Sequence, residues 1–176
     1  VYEGHGIQPD VKIEPEMLST ITAHLYAQNM IFKYANKFYR EHKTIASPDK
    51  FEITDEIYND FVKFVESQDF KYTSESEKDF EELVKTSKTE GYYDNIKEQL
   101  DLLEEELKSH KDNDLVNNKK EISDILKMEI VSRYYFQKGR IISALNDDPE
   151  LKRAVEILLN SNGKNEYETI LKGINN

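Results

Sequence analysis

The sequence has no cysteine and no tryptophan, and it contains only six glycines and four prolines among 176 residues. The lack of cysteine excludes disulfide bonds, thiolate zinc sites and cysteine nucleophiles, but it fits oxidising and reducing compartments equally. No apolar run approaches the roughly 18 residues of a membrane-spanning helix, and no basic segment leads into an apolar one as in a secretory leader. Because the chain starts at Val1 without Met, we expect a fragment of a longer protein.

Positive charge is also scarce, with 24 Lys and Arg against 35 Asp and Glu, a net charge of −11. Such a chain repels phosphate backbones and anionic lipid surfaces, which argues against nucleic acid as a partner. Eleven Tyr and eight Phe nevertheless supply aromatic surface to bury, which argues against disorder. At this length one domain with a real core is the default expectation.

The longest helical pattern lies between Tyr92 and Asn146. Its first half has the spacing of a seam that packs on another helix, at Ile96, Leu100, Leu103 and Leu107. Its second half, from about Leu115, has a further stripe at Ile122, Leu126, Ile130, Tyr134, Ile141 and Leu145. Residues 109–114 between them are all polar, which predicts a turn. We therefore predict a mainly α fold, a helical domain built around a long antiparallel helical hairpin, with a short extended N-terminal segment.

Capping residues place the other helices. Ser19, Thr54 and Ser74 are N-cap candidates, and Ser74 has the Ser-x-x-Glu spacing of a capping box. Asp148 before Pro149 is the strongest such signal, since proline suits the first helical position. We expect a weak point at Asn29, a helix end at Gly91, and a turn over residues 161–164 before a last short helix.

The N-terminal residues follow a different pattern. Val11 and Ile13 alternate with Lys12 and Glu14, which predicts a short strand that Pro15 ends. A lone strand needs a partner for its backbone donors and acceptors. We favour a partner sheet that belongs to polypeptide outside this chain over pairing within it.

Metal and carboxylate chemistry have weak support in the sequence. The four histidines never occur at the i, i+4 spacing of a helical metal site: they are His5, His24, His42 and His110. The run Glu104–Glu106, with Asp101, lacks the cleft that would separate the pKa values of an acid and a base, so we interpret it as a solvated helix face. We predict no metal site and no cofactor.

Two further candidate sites involve serine and aromatic residues. Ser123 and Lys127 share a helix face, but a Ser nucleophile with a Lys base requires a desolvated lysine and an oxyanion hole, which an exposed pair lacks. Tyr134, Tyr135 and Phe136 are consecutive and cannot all face one core stripe, so at least one is expected on the surface or at an interface. Core packing with one surface ring is the simpler interpretation of this cluster.

The segment from Gly4 to Val11 is the most informative motif. It reads Gly-His-Gly-Ile-Gln-Pro-Asp-Val and resembles the Gly-Gly-Gly-Ile-x-Pro-Asp-Val segment that follows the catalytic core of carboxyl-terminal processing (tail-specific) serine peptidases. The matching residues include Gly6, Ile7, Pro9 and Asp10, whereas His5 replaces the usual Gly. Later segments look like the C-terminal helical extension of the longer Bacteroides-like members, namely residues 31–35, 38–42, 129–135 and 147–150.

This resemblance implies a cell-envelope or periplasmic endopeptidase that cuts near protein C-termini with a Ser nucleophile, a Lys base and a PDZ domain. The family's nucleophile and base both precede the motif, so no catalytic residue is carried over to this chain. Residues 1–14 would then be the tail end of the catalytic-domain sheet, and residues 15–176 a helical C-terminal domain. Expected partners are the protein's own catalytic and PDZ domains, protein substrates or an adaptor, and a second copy. The alternative is a free-standing helical interaction module without peptidase activity.

We expect the 176-residue chain to have no peptidase activity, because the Ser and Lys of the family are not in it. The measurement is hydrolysis of an unstructured fluorogenic peptide by the purified chain. Cleavage that disappears when a serine of this chain is substituted would contradict the expectation; cleavage insensitive to every such substitution would indicate a contaminant.

Overall fold

A computed structural model of the chain describes residues 9–14, 17–145, 147–159 and 161–172. Within these ranges the chain forms helices and no strand, which confirms the mainly α prediction. The helices in order are α1 (Thr20–Ala27), α2 (Met30–Glu41), α3 (Asp55–Ser67), α4 (Glu75–Glu90), α5 (Tyr93–Asp112), α6 (Asp114–Asn117), α7 (Lys119–Leu145), α8 (Pro149–Leu159) and α9 (Ser161–Leu171).

Helix α2 lies at the centre of the hydrophobic core, where it contacts α1, α3 and α7. Its buried residues recur at helical spacing and form one face, Met30, Ile31, Tyr34, Ala35 and Phe38. Around this face pack Ile21 and Leu25 of α1, Tyr58, Phe61 and Val65 of α3, and Ile122, Leu126, Ile130 and Val131 of α7. The stretch from Tyr92 to Asn146 therefore contributes its fully buried core residues through the first part of α7, and Leu115 and Tyr134 pack against them partly buried.

Local capping signals agree well with the structure. The side chains of Ser19 and Thr54 accept hydrogen bonds from the backbone N–H of Thr22 and Ile57, each three residues on. Asn29 adopts a left-handed conformation, with φ of 60°, and separates α1 from α2. Asparagine tolerates this conformation better than most residues, so the predicted weak point is confirmed.

A carboxylate from α7 completes the cap of α1. Glu121 accepts hydrogen bonds from the backbone N–H of Ser19 at 3.0 Å and from the Ser19 hydroxyl at 3.0 Å. The negative charge lies at the positive end of the α1 dipole, where it is stabilising. Two elements 102 residues apart in sequence are thereby joined, a contact that no local pattern indicates.

The turn predicted over residues 109–114 is shorter than expected. Helix α5 continues to Asp112, and only Asn113 separates it from the short helix α6. The last turn of α5 is held by a tertiary contact, because Lys111 binds the Glu77 carboxylate and the Tyr72 carbonyl. Helix α5 packs on α4, and α7 packs on α2; direct packing of α5 on α7 as one hairpin stays a prediction.

Helices α4 and α5 form an antiparallel pair closed by Gly91, whose φ of 79° suits glycine. At the open end of the pair, Ser74 and Glu77 form the predicted capping box. The Lys111 ammonium binds both carboxylate oxygens of Glu77 at 2.8 Å and lies 4.7 Å from the centre of the Tyr72 ring. Burial opposes the charged form of Glu77, but the hydrogen bonds from Lys111 and Ser74 together with the charge of Lys111 outweigh it and lower the pKa of this carboxyl.

Helix α7 contains a sharp bend at Phe136. The φ of 56° and ψ of −159° of this residue are essentially confined to glycine and cost a bulky residue about 1–3 kcal/mol. Gly139 is buried one turn later, and a Cβ added there would lie 2.2 Å from the Cβ of Tyr135. This close contact of Gly139 lies within α7 itself, between residues on the two sides of the bend. Beyond it the stripe leaves the core, so that Ile141 is 53% exposed and Leu145 42%.

The C-terminal helices α8 and α9 pack on each other. The Asp148 side chain accepts a hydrogen bond from the Leu151 N–H at 2.9 Å, and α8 begins at Pro149 as predicted. The turn predicted over residues 161–164 is wrong, because α9 already begins at Ser161. Packing on α8 overrides the turn preference of these residue types. Residues 11–13 form no strand within the described ranges. Because the partner sheet favoured for them belongs to polypeptide outside this chain, the strand stays a prediction.

We expect Glu77→Gln to reduce the free energy of unfolding at pH 7 by on the order of 1 kcal/mol, because a charged hydrogen bond becomes a neutral one while the cap on Ser74 survives. A carboxyl whose pKa is lowered on folding stabilises the fold above its unfolded pKa, near 4.5, and loses this contribution as the pH falls through its folded pKa. The difference between variant and parent should therefore shrink below about pH 4.5. Urea unfolding at several pH values measures it.

The matched control is Glu81→Gln, which removes an exposed carboxylate from the same helix. We expect this control to change the unfolding free energy by less than the Glu77 variant at pH 7. Equal effects of the two variants would contradict a specific role for the Lys111–Glu77 pair.

Candidate functional site

The Ser123 and Lys127 pair is not arranged for catalysis. The Lys127 side chain is only 5% exposed, and its ammonium donates to the Glu52 carboxylate at 2.8 Å. An amine occupied by a carboxylate is not available as a base for a serine hydroxyl. Lys127 therefore acts as a structural link between α7 and the segment before α3.

Histidines and acids do not assemble into a metal site within the described ranges, where no group of three or more His, Cys, Asp or Glu could hold an ion. The His24 ring lies 5.4 Å from the Tyr72 ring, and the His42 ring stacks on Phe38 at 3.9 Å. On α5, the side chains of Asp101, Glu105 and Glu106 are exposed, while Glu104 pairs with Lys108 at 2.5 Å. The acidic run is a solvated face, as its sequence indicates.

The three consecutive aromatic residues of α7 have three different environments. Tyr134 packs edge-on against Tyr39, with ring centres 4.8 Å apart, and donates a hydrogen bond to the His42 carbonyl at 2.5 Å. The Tyr135 hydroxyl donates to the Ile45 carbonyl at 3.3 Å. Phe136 is 78% exposed. Tyr135 is also 37% exposed, so the cluster has at least one ring on the surface as expected, and its role as an interface stays a prediction.

The neighbouring Arg133 is held in place by several groups. Its guanidinium pairs with Glu129 at 2.7 Å, donates to the Asn36 side chain at 2.8 Å and lies 4.7 Å from the centre of the Phe32 ring. These interactions hold α7 against α2. Arg133 is therefore a packing residue of the helical core.

The motif residues fall into two groups. Gly6 and Ile7 lie outside the described residues, whereas Pro9 and Asp10 are described and exposed. Pro9 lies at one end of a groove that the extended residues 9–14 form with α8 and α9. This groove is an apolar recess that contains motif residues, and it was not predicted from the sequence.

The groove has a volume of about 620 Å³ and an apolar floor with a charged rim. The apolar residues come from both sides and are Pro9, Val11, Ile13, Ala154, Ile157, Leu158 and Tyr167. The charged rim is made of Lys12, Glu14, Glu150 and Arg153. A recess of this kind buries apolar side chains of another polypeptide and orients them by the charges at its edge.

Helix α8 is positioned for this role by its own sequence. Its amphipathic pattern buries Ile157 and leaves Val155 and Leu158 on the surface, where Leu158 is 59% exposed. Arg153 bridges from α8 to Glu166 of α9 and also binds Glu156 at 3.2 Å, which fixes the two helices together. The sequence contains one signal for this groove: α8 has more apolar residues than one buried stripe requires.

Among the described residues, no helix combines the length and apolar composition needed to cross a membrane. Neither a search of curated proteins nor a search of solved structures found a match to this chain.

One protein-family model does match, over residues 21–158, and its description is "Probable PDZ-protease, C-terminal helical domain". The match covers α2 to α7 in full, with α1 and α8 up to one residue at each outer end. It leaves residues 9–14 and Tyr167 of the groove outside. The family is described as a helical domain, which agrees with the mainly α fold. It is also consistent with the arrangement of Ser123 and Lys127, which do not form a catalytic pair. The chain therefore belongs to the family of C-terminal helical domains of PDZ-proteases.

Proposed function

We propose that this chain is the non-catalytic helical domain of a carboxyl-terminal processing serine endopeptidase of the cell envelope, and that it packs against the catalytic and PDZ domains of the same protein. The family match supports a place beside a PDZ-protease. The serine mechanism, the cleavage near C-termini and the envelope location rest on the resemblance of residues 4–11. Substrate or adaptor binding by the helices would add to this packing role.

The observation that carries the packing proposal is the position of the groove. The extended residues Pro9–Glu14 include the last three residues of the motif, Pro9 to Val11, which follows the catalytic core in the resembled peptidases. They lie against α8 and α9, whose outward apolar residues have no partner within the described ranges large enough to cover them. A catalytic domain joined to this segment is necessarily close to the groove, because a few residues of chain span only about 3.3–3.6 Å each.

Packing of a catalytic domain on α8 would gain a modest free energy for each apolar residue covered and a larger one in total. Covering the exposed part of a leucine such as Leu158 removes apolar area worth on the order of 1–2 kcal/mol. Val155 and Leu151 on the same helix are each about two-fifths exposed, at 43% and 40%. A catalytic domain that covered all three would be held firmly without any new covalent link.

The test uses the longer protein that contains the catalytic core, the PDZ domain and this domain. We expect Leu158→Glu to place a charge in the covered groove, to lower the thermal midpoint of the longer protein by several degrees and to expose the domain junction to limited proteolysis. The isolated 176-residue chain with the same change should unfold close to its parent, because Leu158 is exposed there.

The matched control is Leu102→Glu, which changes a leucine of α5 that is 64% exposed and distant in sequence from the groove. It should leave the longer protein unchanged. Equal destabilisation of the longer protein by both variants, or none by Leu158→Glu, would contradict docking at the groove.

A second candidate function is a free-standing helical interaction module that forms homodimers through the aromatic cluster, an interpretation favoured by the exposure of Phe136. Multi-angle light scattering of the chain over a concentration series would then give twice the monomer mass of 20.7 kDa. Tyr135→Ala should weaken the dimer, whereas Leu102→Glu should not. A monomer mass at all concentrations would eliminate this candidate.

A further inference from the structure

The bend in α7 is the most strained position of the described chain that carries a large side chain. Three residues other than glycine have positive φ in the described ranges, and two of them, Asn29 and Asp69, are of types that tolerate it. Phe136 is the third, and its ψ of −159° places it in a region that is essentially confined to glycine. A phenylalanine held there has a strong preference for another conformation.

The sequence around the bend is suited to a continuous helix. No proline occurs between Lys119 and Leu145, and the residues on both sides of Phe136 are already helical. The apolar stripe that begins at Ile122 continues in helical register through Tyr134 to Ile141 and Leu145. In the bent form the last two of these are about half exposed, so the bend does not add them to the core.

Gly139 has the opposite preference and favours the bent form. It is buried against Tyr135 and Val131, and any side chain there would meet the Tyr135 Cβ at 2.2 Å and a Val131 methyl at 3.2 Å. In a continuous helix residues four apart have Cβ atoms 5–6 Å apart, and this conflict would not exist. Glycine is a poor residue in a helix interior, so its presence here suits the bend alone.

We propose that Phe136 is a hinge between two forms of the domain, a bent form in which α8 lies beside Pro9–Glu14 and a continuous form in which α7 extends straight beyond the core. Only the φ and ψ of one residue must change, and the change relieves the strain at Phe136 while it gives up the contacts of Gly139. In the continuous form the nine residues after the hinge would project by about 1.5 Å each, roughly 14 Å in all.

The hinge controls whether the groove exists. Its two walls are the extended residues before α1 and the helices after the hinge, so straightening α7 carries one wall away from the other. A partner that binds the groove selects the bent form, whereas a partner that covers Ile141 and Leu145 selects the continuous form. This property belongs to the 176-residue chain itself and does not depend on the proposed packing against a catalytic domain.

The first test measures the distance across the hinge. Because the chain has no cysteine, Lys63→Cys on α3 and Lys152→Cys on α8 introduce two unambiguous sites for nitroxide labels, both exposed. Pulsed dipolar spectroscopy on the labelled chain should show one main distance. Adding Gly139→Ala should move population to a second distance that differs by on the order of 10 Å, with helical circular dichroism retained.

The second test compares two residues at the hinge, Phe136→Gly and Phe136→Ala, neither of which has the aromatic ring. In the bent form glycine is favoured at positive φ, so Phe136→Gly should melt about 2–4 °C above Phe136→Ala. In a continuous helix the order would be reversed, since alanine is the better helix former.

The two tests are independent, so the proposed hinge can be contradicted even if one variant folds poorly. A Gly139→Ala chain that keeps its helix content and the label distance of its parent would overturn the continuous form. A higher melting temperature for Phe136→Ala than for Phe136→Gly would overturn the strained bend, and it can be measured whether or not the Gly139 variant folds.

Discussion

The burial of one face of α2 is the constraint on which the rest of the domain depends. Tyr34 lies at its middle with no exposed surface, and its hydroxyl is within 3.0 Å of both the Ile57 carbonyl and the Asp60 carboxylate. A buried hydroxyl without such a partner would cost several kcal/mol. The bond therefore fixes the position of α3 against α2, and burial together with the Asp60 carboxylate raises the pKa of Tyr34.

The same region shows how charges are kept at the edge of this core. Lys37 binds Asp60 at 2.8 Å and Glu41 at 3.0 Å, and the hydrogen bond from Lys37 lowers the pKa of Asp60. Tyr58 reaches from α3 to the Leu115 carbonyl at 2.5 Å, and burial raises its pKa to about 12. Tyr34, Lys37 and Tyr58 thus each have a partner on a neighbouring element, and these partners set the register between helices.

Much of this architecture could be predicted from local signals, because caps and amphipathic stripes act over three or four residues. Ser19, Thr54, Ser74, Gly91 and Asp148 mark helix ends in the structure as their sequence context indicates. The errors occur where distant residues decide. The Lys111–Glu77 pair extends α5 through a predicted turn, and contact with α8 makes a helix of residues 161–171.

The candidate site was less predictable for the same reason. The motif residues and the aromatic cluster are visible in sequence, but the groove joins residues 9–14 to α8 and α9, more than 130 positions later in the chain. The bend at Phe136 brings the C-terminal helices to their place, and it contradicts the helical pattern around it. No periodicity indicates such a feature, since its cause is the fit of Gly139 against Tyr135.

The contribution of α7 to the core has a consequence for how the chain folds as it is synthesised. Helices α1 to α3 end at Ser67, yet their shared apolar face is completed only by Ile122 to Val131, and the α1 cap only by Glu121. As the chain is synthesised from its N-terminus, that apolar face stays exposed to water until more than fifty further residues have left the ribosome. During that interval the first three helices are a natural client for a chaperone that covers apolar surface.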